Sequence, residues 1–362
     1  MINQGRELAA RNRQFNPRKK KSDGRPVKLL VLAVRWPYSL SPVPKSFMDA
    51  KDVRIFCEMA FKDPNYGAPA GRHASPSLIA SKLRLDEKTV RLRIKKMEGD
   101  GFIKYYQVTP DLAFFGLKCL GLYRFEAMNL ATKFGVLRHI RGLPGVVEAF
   151  DYIGPTVSVS IAGASPTKVQ DLSDEIAGMF ELSKLNLENH VLLEPHLHPD
   201  RLDWQVIKKL RYDALCTAKQ VADSLSITPR MAGYRIDKLL QSGAILMRAV
   251  INTQKQEGLV FYELTISVGE NRQSAIGRRL REMYGEKLWS MRVSANGVLI
   301  ASLFAFTLGE PEEAAIQLSK TEGVKSSSVL ILKEVVEPAR PNWIDALIQE
   351  EIAPTLSDPA TG

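Results

Sequence analysis

Apolar residues recur at helical spacing in two stretches of the chain, which start near residues 53 and 203. In the first stretch, Val90, Ile94 and Met97 mark the buried face of one helix. Residues that favour helix N-caps stand at the expected places, namely Ser75, Asp86, Thr217 and Thr228. The pattern predicts helices over Val53–Phe61, Pro76–Leu83, Asp203–Leu210 and Ala218–Leu225, and a further helix after each of Asp86 and Thr228. Three helices with a tight turn before the third are typical of a helix-turn-helix.

Alternating and β-branched positions follow each set of helices. Phe102–Val108 and Ala244–Asn252 predict a short β-ribbon, which would make each helix-turn-helix a winged one. The remaining pattern predicts the order βαββαβ twice, which is a ferredoxin-like α+β domain. In the first half these elements are Leu117–Phe125, Leu130–Arg141, Val146–Ile153, Val157–Ile161, Thr167–Phe180 and His190–Leu193. In the second half they are Phe261–Val268, Ser274–Tyr284, Leu288–Val293, Val298–Phe304, Glu312–Thr321 and Ser327–Leu332. Such sheets leave one face uncovered, so we expect the two sheets to pair face to face.

The two halves also share residues at a constant offset of 142 positions. The matching pairs are Ala80/Ala222, Leu83/Leu225, Arg93/Arg235, Ile94/Ile236, Lys96/Lys238, Gly101/Gly243 and Ile103/Ile245. Because apolar, glycine and arginine positions keep one register without a gap, we interpret the chain as a tandem duplication.

These residues resemble those of the Lrp/AsnC (feast/famine) family of transcription regulators, over roughly residues 52–338 in two passes. The resemblance rests on Leu83–Ile94 with Gly101-Phe102-Ile103, and on Leu225–Thr228 with Arg235-Ile236 and Gly243-Ala244-Ile245. The resemblance implies a DNA-binding protein of archaeal origin. It also implies that the two subunits of the family's dimer are joined here in a single chain, as a pseudo-dimer. The family's amino-acid sensors carry a Gly-x-x-Asp turn, whereas this chain has Gly154–Val157 and Ala295–Val298 without the acidic residue. An amino-acid effector bound in the usual way is therefore not expected.

Charge is concentrated at the N-terminus. Residues 1–50 hold eleven Lys/Arg and three acidic residues, which accounts for +8 of the total net charge of +10. Their composition predicts a largely disordered basic arm that binds phosphates, with Arg18, Lys19, Lys20 and Lys21 at its centre. A solubilising tail or a misplaced start codon is the alternative.

Polar side chains on the third helices are the candidate DNA contacts, because cationic and hydroxyl groups there can reach base edges and phosphates. In the first half they are Lys88, Thr89, Arg91, Arg93, Lys95 and Lys96, and in the second half Arg230, Tyr234, Arg235 and Lys238. An ordinary solvated helix face is the alternative. Since the two sets differ at most exposed positions, we expect an asymmetric target site.

The same predicted architecture is also similar to that of an enzyme class, the sirohaem decarboxylases. Its Asn-Tyr-x-Arg-like run is not matched by Phe150–Ile153, and none of the five histidines lies on the second or third strands. A metal site at His190, Glu194, His196 and His198 has loose spacing and prolines typical of a linker. We therefore predict no enzyme, no cofactor and no metal site.

A third alternative is a transcription scaffold that docks to partner proteins. The acidic amphipathic segment Trp343–Ile352 would then recruit a partner, or otherwise cap the second domain.

The preferred hypothesis is a cytoplasmic, nucleoid-associated regulator that binds double-stranded DNA, self-associates through its ferredoxin-like domains and does not bind membranes. A small-molecule effector is possible on this hypothesis. The predicted boundaries are 1–50 for the arm, 51–115 and 200–257 for the winged helix-turn-helix domains, 116–195 and 258–338 for the ferredoxin-like domains, and 339–362 for the tail.

Overall fold

The computed structural model describes residues 48–60, 75–192, 197–252, 255, 258–269, 271–294 and 297–353. Nearly all of the predicted basic arm lies outside these ranges, and so do Arg18, Lys19, Lys20 and Lys21. No helix among the described residues is long and apolar enough to cross a bilayer.

Two units of three helices contain the predicted caps. The first unit is α1 (Ala50–Ala60), α2 (Pro76–Leu83) and α3 (Glu87–Gly99), and the second is α6 (Arg201–Leu210), α7 (Ala218–Leu225) and α8 (Pro229–Gln241). The Thr228 hydroxyl accepts a hydrogen bond from the Met231 N–H at 3.2 Å, and Ser75 does the same for Leu78. Helices α1 and α6 begin two to three residues earlier than predicted, because Asp49 and Asp200 accept hydrogen bonds from their first N–H groups.

The strand after each helical unit departs from the prediction. Strands β1 (Ile103–Pro110) and β6 (Ile245–Ile251) pair with each other, antiparallel, to form a two-stranded sheet. Each helical unit therefore contributes one strand to a ribbon shared by both halves. The prediction of a separate wing in each half is wrong on this point, because the backbone groups of each strand find their partners in the other half.

The βαββαβ order is present in both halves. The first contains β2 (Cys119–Glu126), α4 (Leu130–Ile140), β3 (Val146–Tyr152), β4 (Thr156–Gly163), α5 (Pro166–Met179) and β5 (Ser183–Val191). The second contains β7 (Val260–Val268), α9 (Gln273–Tyr284), β8 (Leu288–Val293), β9 (Leu299–Ala305), α10 (Gly309–Ser319) and β10 (Val324–Val336). These strands form one eight-stranded sheet in the order β5-β2-β4-β3-β10-β7-β9-β8. The mixed α+β class is as predicted.

The long strand β10 joins the two halves of the sheet. Its first part, Val324–Ile331, pairs with β7, and its last part pairs with β3 through residues such as Val335, which lies opposite Phe150. The faces that the helices leave uncovered also meet, where Leu122, Leu187 and Ile300 form one buried cluster. The expected face-to-face contact is thus present, together with an edge-to-edge junction that the sequence did not predict.

Helix α11 (Trp343–Ile352) has the predicted bounds and lies against α6. Ile344 and Ile348 are buried in the core that contains the second helical unit. The Trp343 indole N–H donates to the carbonyl of Val146, at the start of β3, over 2.8 Å. This helix therefore fastens the second helical unit to the first α+β half.

Candidate nucleic-acid interface

The outer face of α3 carries two of the predicted cations. Lys88 and Lys95 are exposed and lie two helical turns apart, with the exposed Leu92 between them. Arg91 is also exposed but forms an i,i+4 ion pair with Glu87 at 2.6 Å. The Thr89 N–H donates to the N-cap residue Asp86 at 3.0 Å, and the Thr89 hydroxyl lies 3.5 Å from the same carboxylate oxygen. The face is cationic with an apolar centre.

The corresponding face of α8 has a different composition. Arg230 is exposed in the first turn and Tyr234 is 69% exposed one turn later. Met231 is exposed beside them, and Asp237 stands where α3 has Lys95. Arginine and tyrosine at the beginning of a recognition helix can donate hydrogen bonds to base edges and phosphates. The two helices thus present different side chains at corresponding positions of their outer faces.

Four of the predicted DNA contacts are engaged inside the helical units. Arg235 reaches Asp203 at 2.6 Å and Asp200 at 2.8 Å, and Lys238 reaches Asp203 at 2.9 Å. In the first unit Arg93 and Lys96 make the corresponding contacts with Asp52. Both Asp52 and Asp203 are buried. These cations therefore hold the third helix on the first helix, a structural role that the sequence analysis did not assign to them.

The ion pairs also set the protonation of the surrounding carboxylates. Burial raises the pKa of Asp200, but the hydrogen bonds from Arg235 and from the Asp203 N–H outweigh it and lower the pKa. Burial likewise raises the pKa of Asp49, but the hydrogen bonds from the Asp52 N–H and from Arg93 outweigh it and lower the pKa. Both carboxylates are thus ionised around neutral pH, which keeps the cations of the inner face engaged.

Two cations near the turn were not among the predicted contacts. Arg84 adopts a left-handed conformation (φ 53°) between α2 and α3 and is exposed. Lys219 is exposed in the first turn of α7. The N-terminus of a helix and the adjoining turn favour phosphates. The signal in the sequence is the position of these residues, since Arg84 lies in the turn before the third helix and Lys219 in the first turn of the second helix of its unit.

The metal site at His190, Glu194, His196 and His198 was an alternative that the sequence did not favour, and it falls partly outside the part of the chain that the structure describes. No group of three histidine, cysteine, aspartate or glutamate side chains there is arranged to hold a metal ion. His196 and Glu194 of the suggested metal site lie outside the described residues.

The solved structures similar to this chain include an enzyme and several transcription regulators, whereas no family model and no curated protein matches it. Structures of the siroheme decarboxylase NirDL match 83% of this chain and 98% of their own, at 14% identity and a TM-score of 0.48. The complex of NirDL with an iron-uroporphyrin III analogue gives a TM-score of 0.49. E. coli AsnC matches 38% of this chain and 94% of its own, at 13% identity and a TM-score of 0.32.

AsnC-type regulators thus match part of the chain, in keeping with the resemblance found in the sequence. The prediction that the chain is not an enzyme is contradicted, because the structures that match most of it are those of an enzyme. At these identities, and with TM-scores below 0.5, what the chain binds has to be argued from its own contacts.

Proposed function

We propose that this chain regulates transcription by binding double-stranded DNA with α3 and α8 in major grooves. The observation that carries the proposal is that each third helix has two kinds of cation, one ion-paired inside the helical unit and one exposed. Arg93 and Arg235 form ion pairs with the buried Asp52 and Asp203. Lys88 and Arg230 occupy matching positions one turn or more away and are exposed. The outer face of each helix is thus free to contact a phosphate or a base edge.

Helix α8 is the stronger candidate for base recognition. Arg230 and Tyr234 lie one turn apart on its outer face, so both can reach into the same groove. Lys88, Lys95 and Arg84 of the first unit, together with the basic arm, would add contacts to phosphates. Because Asp237 replaces the lysine of α3 and repels phosphate, the preferred site would be asymmetric. A nucleoid location and an effector-dependent affinity are part of the same proposal.

The test is a fluorescence-anisotropy titration on DNA fragments selected from a genomic pool, at several salt concentrations. We expect a steep decrease in affinity with salt for the intact chain. The double variant Arg230→Ala/Tyr234→Ala should lose about 1–3 kcal/mol for the selected fragments and much less for random DNA.

Arg279→Ala is the matched control, because Arg279 is an exposed helical arginine in the second α+β half. It makes the same change of charge outside the helical units and should leave binding unaltered. Equal losses of affinity in Arg279→Ala and in the double variant Arg230→Ala/Tyr234→Ala would mean that only the overall charge matters. The role of α8 would be contradicted if the double variant preferred selected over random DNA as strongly as the intact chain does.

A further inference from the structure

Both third helices carry a large apolar side chain at the same outer position. At the offset of 142 positions that relates the two halves, Leu92 of α3 corresponds to Tyr234 of α8. Leu92 is 59% exposed and Tyr234 is 69% exposed. Since α3 and α8 have the same length, each of these side chains leaves its helix at the sixth residue. The halves differ in charge at other exposed positions of these helices, whereas both place a bulky apolar group here.

The packing of each helical unit fixes the direction of these two side chains. Val90 of α3 and Ala232 of α8 are fully buried in the core. Leu92 and Tyr234 follow them by two residues, which is a rotation of about 200° around the helix. Both therefore point away from the core. In the free chain this apolar surface is in contact with water, so it gains free energy only when a partner covers it.

A cation lies one turn before each of the two side chains. Lys88 precedes Leu92 by four residues, Arg230 precedes Tyr234 by four residues, and both cations are exposed. A partner that covers this face has to offer negative charge beside a small apolar group. In the major groove of DNA the phosphates supply the charge, and the 5-methyl group of thymine is the apolar group at the base edge.

We propose that Leu92 and Tyr234 each contact the 5-methyl group of a thymine, so that each half of the binding site requires an A·T pair at one defined place. This inference rests on the proposed function, because it takes α3 and α8 to lie in major grooves. Leucine makes only the apolar contact, whereas the Tyr234 ring covers the methyl group and its hydroxyl is left to donate to a neighbouring acceptor. The two A·T pairs are therefore recognised by different contacts, which adds to the asymmetry of the preferred site.

Replacing thymine by deoxyuridine tests this directly, because it removes the methyl group and leaves the base pairing unchanged. A DNA fragment selected by the intact chain is prepared as a series in which one thymine at a time is replaced, and affinities are measured by fluorescence anisotropy. One replacement in each half of the site should lower the affinity of the intact chain about fourfold, as expected for the loss of one buried methyl group. If no replacement lowers the affinity, the proposal is wrong.

Variants assign each methyl group to its side chain. Leu92→Ala should lose the response to one replacement and keep the response to the other, and Tyr234→Ala should do the reverse. Leu92→Met, which keeps an apolar side chain of similar volume, should keep both responses. Leu130→Ala is the matched control, because Leu130 is a 53% exposed leucine in the first α+β half, and it should also keep both. A Leu92→Ala variant that still responds in both halves of the site would overturn the proposal.

The same titrations separate this inference from the proposed function. The preference of the intact chain for the selected fragment over random DNA tests the proposed function, whereas the response to deoxyuridine tests the methyl contacts. A clear preference without any response to deoxyuridine would overturn the methyl contacts alone. The absence of any preference would overturn both.

Discussion

At the scale of single residues, the arginines of the third helices have two different roles. Arg235 is 18% exposed and bound to two aspartates, whereas Arg230, five residues earlier, is exposed in the first turn. Five residues rotate a helix by about 500°, so the two side chains leave it in different directions. In the sequence both are simply cationic residues, and only the packing of α8 on α6 distinguishes their roles. The helix could therefore be predicted from the sequence, whereas the role of each charge on it could not.

Replacing Arg235 by alanine should destabilise the protein, whereas Arg230→Ala should not. Asp203 is fully buried, and in Arg235→Ala it would keep only Lys238 as a cationic partner. We expect a loss of about 2–3 kcal/mol in the free energy of unfolding, from a buried carboxylate that loses its charged hydrogen bond. Arg230→Ala should change it by less than about 0.5 kcal/mol, as is usual at the surface. Urea denaturation of both variants measures this, and equal stabilities would contradict the structural role of Arg235.

At the scale of elements, capping and periodicity predicted most of the helices well. Helices α2, α7 and α11 have the predicted bounds because capping side chains fix where they start, namely Ser75, Thr217 and Asn342. The partner of β1 could not be predicted in this way. Its hydrogen bonds go to β6, about 140 residues later, and no local pattern distinguishes that pairing from a hairpin.

The sequence likewise left two roles for α11, capping the second domain or recruiting a partner. In the structure its contacts place it against α6. Asp345 pairs with Arg211, which is buried, and accepts a hydrogen bond from the Tyr212 hydroxyl. Burial lowers the pKa of Arg211, and Asp345 counteracts this by favouring the charged form. Without Asp345, the Arg211 guanidinium would retain the carbonyl of Val108 among its contacts.

Asp345→Ala should therefore lower the free energy of unfolding by about 3 kcal/mol, since it leaves a buried charge without its ionic partner. Glu350→Ala is the control within the same helix, because Glu350 is exposed, and it should be nearly neutral. Proteolysis near residue 340 should become faster in Asp345→Ala as α11 detaches. A melting temperature equal to that of Glu350→Ala would show that α11 is held by its isoleucines alone.

At the scale of the whole molecule, a buried polar cluster connects the two halves of the sheet. Glu263 of β7 accepts hydrogen bonds from Arg124 of the first half at 3.1 Å and from Arg292 at 2.8 Å. It also accepts from the Tyr152 hydroxyl, at 2.8 Å, and burial together with this carboxylate raises the pKa of Tyr152. The sequence predicted that the sheets would face each other. It could not predict this cluster, because its members come from four strands in two halves.

Glu263 is therefore the residue through which the halves depend most directly on each other. In Glu263→Ala, Arg124 and Arg292 would face each other across the sheet without the carboxylate between them, and we expect a loss of about 3–5 kcal/mol. Because Arg124 and Tyr152 belong to the first half and Arg292 to the second, the loss should affect both halves in one cooperative transition. Glu322→Ala, at an exposed surface ion pair with Arg272, should cost less than about 1 kcal/mol. Calorimetry distinguishes the outcomes: a single transition at lower temperature supports this coupling, whereas two transitions, with the first half unshifted, would show that the halves fold independently.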